Sequence, residues 1–422
     1  MSRYARKREN PPVKPVKRIE VSDKNRKGKL ALIVILLALG VTLIAVSVTQ
    51  MLTTPPGWET IQVSGDISES CAGDFVFLYL LGDGDKAANL EQREITQLYT
   101  QAAADAFRMF HEEKLFDGVH NVAYLNRHPN EEVEIPAALY AAFSLFEESG
   151  NRALYAAPLY REYVGLFMSE EDWAAKMYDP NQSQEQADYF REVLAFTTDE
   201  NAVSLKLLGN NRVKLQVSEA YLQYAAEKEI AAFIDFYWMK NAFVADYLAD
   251  AMIGSGYTKG TISSFDGFSR NLDGSDRSYE LNIFNREKDN IFLAGAMSYS
   301  GVKSFVSLRN YPMSDLAVQL YYRWADGSYT SCHIDPADGL SKSAINDFTG
   351  YSRSLSCGEV LMSLYGIFVA DALDMDAVEN LPQKGVETVY CQNRGIITSD
   401  PAVKISGLYN KDGVSYTWLS TK

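Results

Sequence analysis

Two short stretches hold residues whose types and spacing suit chemistry. The first is SCHIDPADGL, Ser331 to Leu340, which contains one of only four histidines in the chain. His333 is suited to acid/base or orienting work, because imidazole changes charge near neutral pH. Asp335 would orient it or receive a helix end. Pro336 and Gly339 also mark a tight turn, so on local grounds a turn with a histidine in it is the leading reading. The second stretch is GEVLMSLYG, Gly358 to Gly366. Glu359 and Ser363 are four apart and share one face of a helix. A carboxylate beside a hydroxyl begins a hard-cation site if further oxygens join it. Without them the pair is an ordinary helix face.

Other signals are weaker. HEEK at His111 reads as an exposed helix face. NLDGSD at Asn271 to Asp276 opens like a calcium loop but lacks the distal glutamate, which favours a hairpin turn. NQS at Asn181 is a glycosylation sequon, relevant only in a glycosylating pathway. There is no GxxxxGK[ST], GxGxxG, GxSxG or HExxH pattern. The four cysteines, Cys71, Cys332, Cys357 and Cys391, form no CxxC pair, so a zinc knuckle is not indicated. Two disulfides, one or none are all compatible with the sequence.

The elements that must position these residues mix helices with hairpins. DFVFLYLLGDGD begins as a strand. Ile95, Leu98, Ala102, Ala106 and Phe110 recur at helical spacing. VAYLNRHPNEEVEI reads as loop and strand. PAALYAAFSLFEESG is a helix with Pro136 in its first turn and Gly150 as its stop. AVSLKLLGNNRVKLQV predicts a hairpin turning at GNNR. A long helix is predicted from Ser218 to about Ile253. SYELNIFN, KSFVSL, LAVQLYYRW, VETVYCQ and YTWLS are strand-like, and GEVLMSLYGIFVADAL is predicted to be a helix. Without strict βαβ alternation the fold class is α+β.

Charge divides the chain. Residues 1–29 carry eleven Lys/Arg against three Asp/Glu, and the remainder carries 29 basic against 52 acidic residues. Between them, Leu30 to Leu52 is free of charge for 23 residues, enough to span a bilayer. The basic flank comes first, which predicts a cytoplasmic N-terminus and an extracytoplasmic main domain. A cleaved signal peptide is the rival reading. The length of the apolar run and the absence of a clean A-x-A site favour an uncleaved anchor in the cell membrane. Residues 53–70 read as a stalk and 71–422 as the main domain. Its acidity argues against nucleic acid as a partner.

Taken in order, these segments resemble the FAD:protein FMN transferase family, the ApbE-like proteins. YLNRHPNEEVEIPAALYAAFSLFEESGNRALY is similar to the family's SxxSxLN segment and the helix after it, with Asn126 on the asparagine. FIDFYWMKNAFVADYLADAMIGSGY lines up with the DLGGIAKG turn and its helix, placing Asp235 and Asp246 on family aspartates and Asn241 on the lysine. HIDPADG resembles HIxDPxTG, one residue shorter. GEVLMS resembles ADxLAT, with Glu359 for the aspartate and Ser363 for the threonine. The resemblance spans about residues 90–420. It implies an ApbE-like domain that uses FAD and magnesium. The FMN half of FAD would move onto a Ser/Thr hydroxyl of a flavin-accepting extracytoplasmic or membrane protein. It further implies His333 and Asp335 as catalytic, Asn126, Asp235 and Asn241 as cofactor-binding, and Glu359 and Ser363 as metal ligands.

The departures lie on one side of that site. Tyr237 and Trp238 stand at the glycine pair, where backbone would approach a ligand closely. Leu154 to Ala157 replace FDxT, and Phe265, Asp266 and Gly267 replace GGD. Two functions follow as expectations. One is a divergent membrane-anchored transferase. The other is a non-catalytic relative that binds flavin, a nucleotide or a partner protein in a membrane assembly.

Overall fold

A computed structural model describes residues 54–420. The expected basic tail and the membrane segment at 30–52 lie outside the described residues. No helix among the described residues is long and apolar enough to cross a membrane. The four cysteines are buried and free.

The centre is a nine-stranded sheet whose spatial order follows chain order. Its strands are β1 (Gly57–Ile61), β2 (Phe75–Leu81), β3 (Gly260–Ser264), β4 (Phe268–Asn271), β5 (Lys303–Arg309), β6 (Asp347–Ser352), β7 (Glu387–Gln392), β8 (Gly395–Thr398) and β9 (Thr417–Ser420). Each neighbour is antiparallel except the last pair, β8 with β9. The stalk expected at 53–70 is corrected here. Gly57 to Ile61 pair residue for residue with Leu81 to Phe77, so part of that segment is an edge strand of the domain.

Strand alternation divides the sheet between two cores. Along β5, Val306 and Leu308 join the main core, and Phe305 joins a smaller one with Tyr351, Val389 and Ile396. On the main side pack α1 (Ala88–Phe110), α2 (Ala137–Ser149), α3 (Lys240–Gly254) and α4 (Cys357–Phe368). Helix α3 touches both α1 and α4, and α4 touches α2, β5 and β6. On the other side Ile283 and Met297 come from the pair Tyr279–Glu287 and Asn290–Tyr299.

The hairpin at GNNR forms, as Val203–Gly209 with Arg212–Val217. Gly150 ends α2 in the left-handed conformation at φ 65°, as its sequence implies. Three expectations change. Val122–Arg127 is a helix, because the Asn121 side chain accepts the Tyr124 N–H and caps it. The helix expected over 218–253 is two helices, Glu219–Glu227 and α3, separated by irregular backbone. Asn271 ends β4, and Leu272 to Asp276 is a loop leading into a separate sheet, closed on Asp273, which accepts the Ser275 N–H and the Tyr279 hydroxyl. It is neither a hairpin nor a calcium loop.

Candidate functional site

The break in the long helix is held from a distance. Asn126 Oδ1 accepts the backbone N–H of Phe233 (2.9 Å) and Ile234 (3.0 Å), and its Nδ2 donates to the Ile234 carbonyl (2.9 Å). All the hydrogen-bonding capacity aimed at 233–234 is thus spent on main chain. Asp235 Oδ1 then accepts the Tyr237 N–H (2.8 Å), closing a turn that admits Tyr237 at φ 47°. Burial pushes the Asp235 carboxyl up to about 7, with the nearby Glu112 adding to the shift.

That turn delivers two aromatic rings into the site. Tyr237 lies flat on Tyr160, with centroids 4.7 Å apart. Trp238 is 4 % exposed, stacks on Tyr365 and meets the edge of His333 at 4.6 Å. Phe368 closes another side of the imidazole at 4.9 Å. His333 is 3 % exposed, and its Nδ1 lies 3.1 Å from Ser331 Oγ. In this aromatic box, burial pulls its pKa down to about 3, so the ring is neutral at physiological pH.

The segment after His333 is a built turn. The Asp335 carbonyl accepts the Gly339 N–H (2.7 Å), and its Oδ1 accepts the Ala337 N–H. Gly339 sits at φ 75°, and a Cβ there would press on Leu159 and Phe190 at 3.1 Å. Asp335 Oδ2 pairs with Lys342 (2.9 Å), which also meets Asp338 (2.6 Å) and Asp371 (3.4 Å). Nothing in the sequence around Lys342 marks it as a site residue. Its spacing of seven and four residues from Asp335 and Asp338 is the only trace of the pairing.

The N-terminus of α4 is fully occupied. Ser356 Oγ accepts the Glu359 N–H, and Glu359 Oε2 accepts the Ser356 N–H (2.7 Å), which is a capping box. Asp246, from α3, accepts the Cys357 and Gly358 N–H groups at 2.8 Å each and pairs with Arg270. The first three N–H groups of α4 are therefore already bonded, and none is left for an anion. Ser363 donates to the Glu359 carbonyl (2.9 Å).

These facts test the expected cofactors. Glu359 and Ser363 are both turned to their own helix, and among the described residues no group of three or more His, Cys, Asp or Glu is placed to hold a metal. The donors present do not fit the magnesium site. The flavin side is no more open. Asn126, Asn241 and His333 are each 5 % exposed or less, and Trp238 fills the space beside the imidazole. Asn241 donates to Asp266 (3.0 Å), whose carboxyl burial pushes up to about 7.

Of the seven residues expected to act together, Asp335 and Ser363 line one open cleft of about 1250 Å³, bordered by Ser149, Arg152, Asp374 and Lys384. His333 is buried behind Trp238. Asn126, Asp235 and Asn241 lie in the interior, serving main-chain and side-chain hydrogen bonds.

No family model and no curated protein matches the chain. Among solved structures, the ApbE protein of Thermotoga maritima superposes with a TM-score of 0.53 at 14 % identity, covering 83 % of this chain and 97 % of that one. The flavin transferase ApbE of Vibrio cholerae gives 0.47 at 14 % identity, covering 83 % of this chain and 98 % of its own. The flavinyl transferase ApbE of Pseudomonas stutzeri gives 0.46 at 12 %, covering 82 % and 94 %. The resemblance read from motif order is matched by the path of the backbone, and the chain folds as an ApbE-like α+β domain.

Proposed function

We propose that this chain is a degenerate ApbE-like protein, a binding module built on a flavin-transferase fold. One observation carries the reading: Trp238 is buried against His333 and Tyr365, at the position where the resemblance calls for glycine. Transfer of FMN from FAD breaks the pyrophosphate and releases AMP. It needs a cation on the phosphates and an acceptor oxygen held in line. Here the candidate cation ligands are bonded to their own helix, and the helix N-terminus is capped by Asp246 and Ser356. In this reading the apolar segment at 30–52 anchors the domain outside the membrane, and its partner is a protein of a membrane assembly.

A second reading rests on the cleft holding Asp335 and Ser363. At about 1250 Å³ it has room for a dinucleotide, and it would be the seat of FAD in a divergent transferase.

The two are separated by titrating the full-length protein with FAD in the presence of Mg²⁺ or Mn²⁺. The binding-module reading expects no saturable change in flavin fluorescence and no release of AMP by chromatography. Saturable binding with cation-dependent AMP release would establish the second reading instead.

A further inference from the structure

A polar pocket of about 350 Å³, sharing no lining residue with the cleft of Asp335 and Ser363, lies where the end of the main sheet meets the small one. Lys303 begins β5, Arg353 follows β6, and Lys404 begins a strand paired with Ser298. All three cations line the pocket. None of their side chains forms a hydrogen bond or ion pair with another described residue. The domain beyond residue 29 has 52 acidic against 29 basic residues, so a cluster of unpaired cations stands against the background.

Lys303 is the most informative of the three. The residue is 4 % exposed, its ammonium reaches solvent only at the pocket, and no carboxylate of the described residues lies within ion-pair distance, an arrangement rare for lysine. Burial and the neighbouring Arg353 both lower its pKa, which Asp400 only partly offsets. Asp400 is itself committed: its carboxylate accepts the Ala402 N–H and the Tyr351 hydroxyl. The other carboxylate lining the pocket is Asp276. Ser298 and Ser300 add neutral hydroxyl donors on the same wall.

We propose that this pocket binds a phosphate group, held by Lys303, Arg353 and Lys404 with serine hydroxyls beside them. Three cations face two carboxylates in the lining, Asp276 and the already bonded Asp400, and that excess of positive charge favours a phosphate oxyanion. The group would come from a free phosphate or phosphomonoester, or from a phospholipid headgroup.

The test is calorimetric titration of the full-length protein in a neutral, phosphate-free detergent. One arm adds inorganic phosphate, the other a monomeric short-chain phosphatidylglycerol. Saturable binding of phosphate assigns a free anion. Binding of the lipid alone assigns a headgroup. In either case Lys303→Met, which keeps the aliphatic stem, should weaken binding about tenfold or more, as loss of a charge-assisted hydrogen bond does. Arg353→Ala, at an exposed position, tests the same pocket without disturbing the core. Lys411→Met, exposed and outside the pocket, should change nothing. Absence of binding in both arms overturns the proposal. So does binding that survives Lys303→Met and Arg353→Ala, or that Lys411→Met weakens equally.

Discussion

Trp238 meets His333 edge to face, centroids 4.6 Å apart and planes at 72°, while its own face lies parallel to Tyr365 within 15°. The indole is thus a packing element shared by the turn at 235–239, the histidine loop and α4. Its removal leaves a large void among rings that cannot collapse together. Trp238→Ala is expected to lower stability by about 3–5 kcal/mol. Urea unfolding gives the value, and a loss below about 1 kcal/mol would mean that the ring is peripheral.

His333 makes stability depend on acid. Its folded pKa is depressed to about 3, below the ordinary 6.5 of the unfolded chain. The contribution is therefore fully present above pH 6.5. It falls as the pH drops toward 3, because the unfolded state then binds a proton that the folded state refuses. One proton gives a slope of at most about 1.4 kcal/mol per pH unit. Comparing denaturation midpoints at pH 7 and pH 5 for the wild type and His333→Gln checks this: the variant should show the smaller drop. Equal drops would move the imidazole out of its aromatic box.

Asn126 and Asp246, both matched to polar positions of the flavin family, are expected to act on folding. Asn126→Ala strands two N–H groups and a carbonyl in the interior and should cost about 3 kcal/mol or more. Asp246→Ala leaves Arg270 buried without its partner and uncaps α4, a loss of about 3–5 kcal/mol. Both losses should appear without any flavin or metal present. An Asn126→Ala protein that is fully stable but altered in flavin binding would restore the cofactor-binding role that the resemblance implies for Asn126.

The thiols offer an inexpensive check on the whole arrangement. All four cysteines are buried and unpaired, and burial pushes the thiols of Cys71 and Cys391 up to about 12. An aromatic disulfide reagent should leave the native protein unmodified and titrate four thiols after unfolding in denaturant. Fewer than four, or a melting temperature that falls on reduction, would reveal a disulfide.

The order of motifs was legible in the sequence because each sits on a local signal. Gly150 stops α2, GNNR turns a hairpin, and Pro336 with Gly339 makes the histidine turn. What was hidden depends on partners distant in the chain. The break at 228–239 is fixed by Asn126, more than a hundred residues earlier, and no periodicity within 218–253 records it. Glu359 looked like a ligand because its spacing to Ser363 is right. The capping box that uses it instead needed only Ser356, three residues before, and was the nearer explanation. Strand β1 is hidden in the sequence because TTPP precedes it and glycine opens it, a composition that suggests a linker.

That strand has a mechanical consequence. Any segment preceding Pro55 joins the domain through β1, which holds the sheet edge by five residue pairs with β2. A pull along the strand loads those pairs together, in shear. A pull across it opens them one at a time, like a zipper. The direction in which the N-terminus is held thus sets how much force the first strand withstands before the rest of the sheet carries any load.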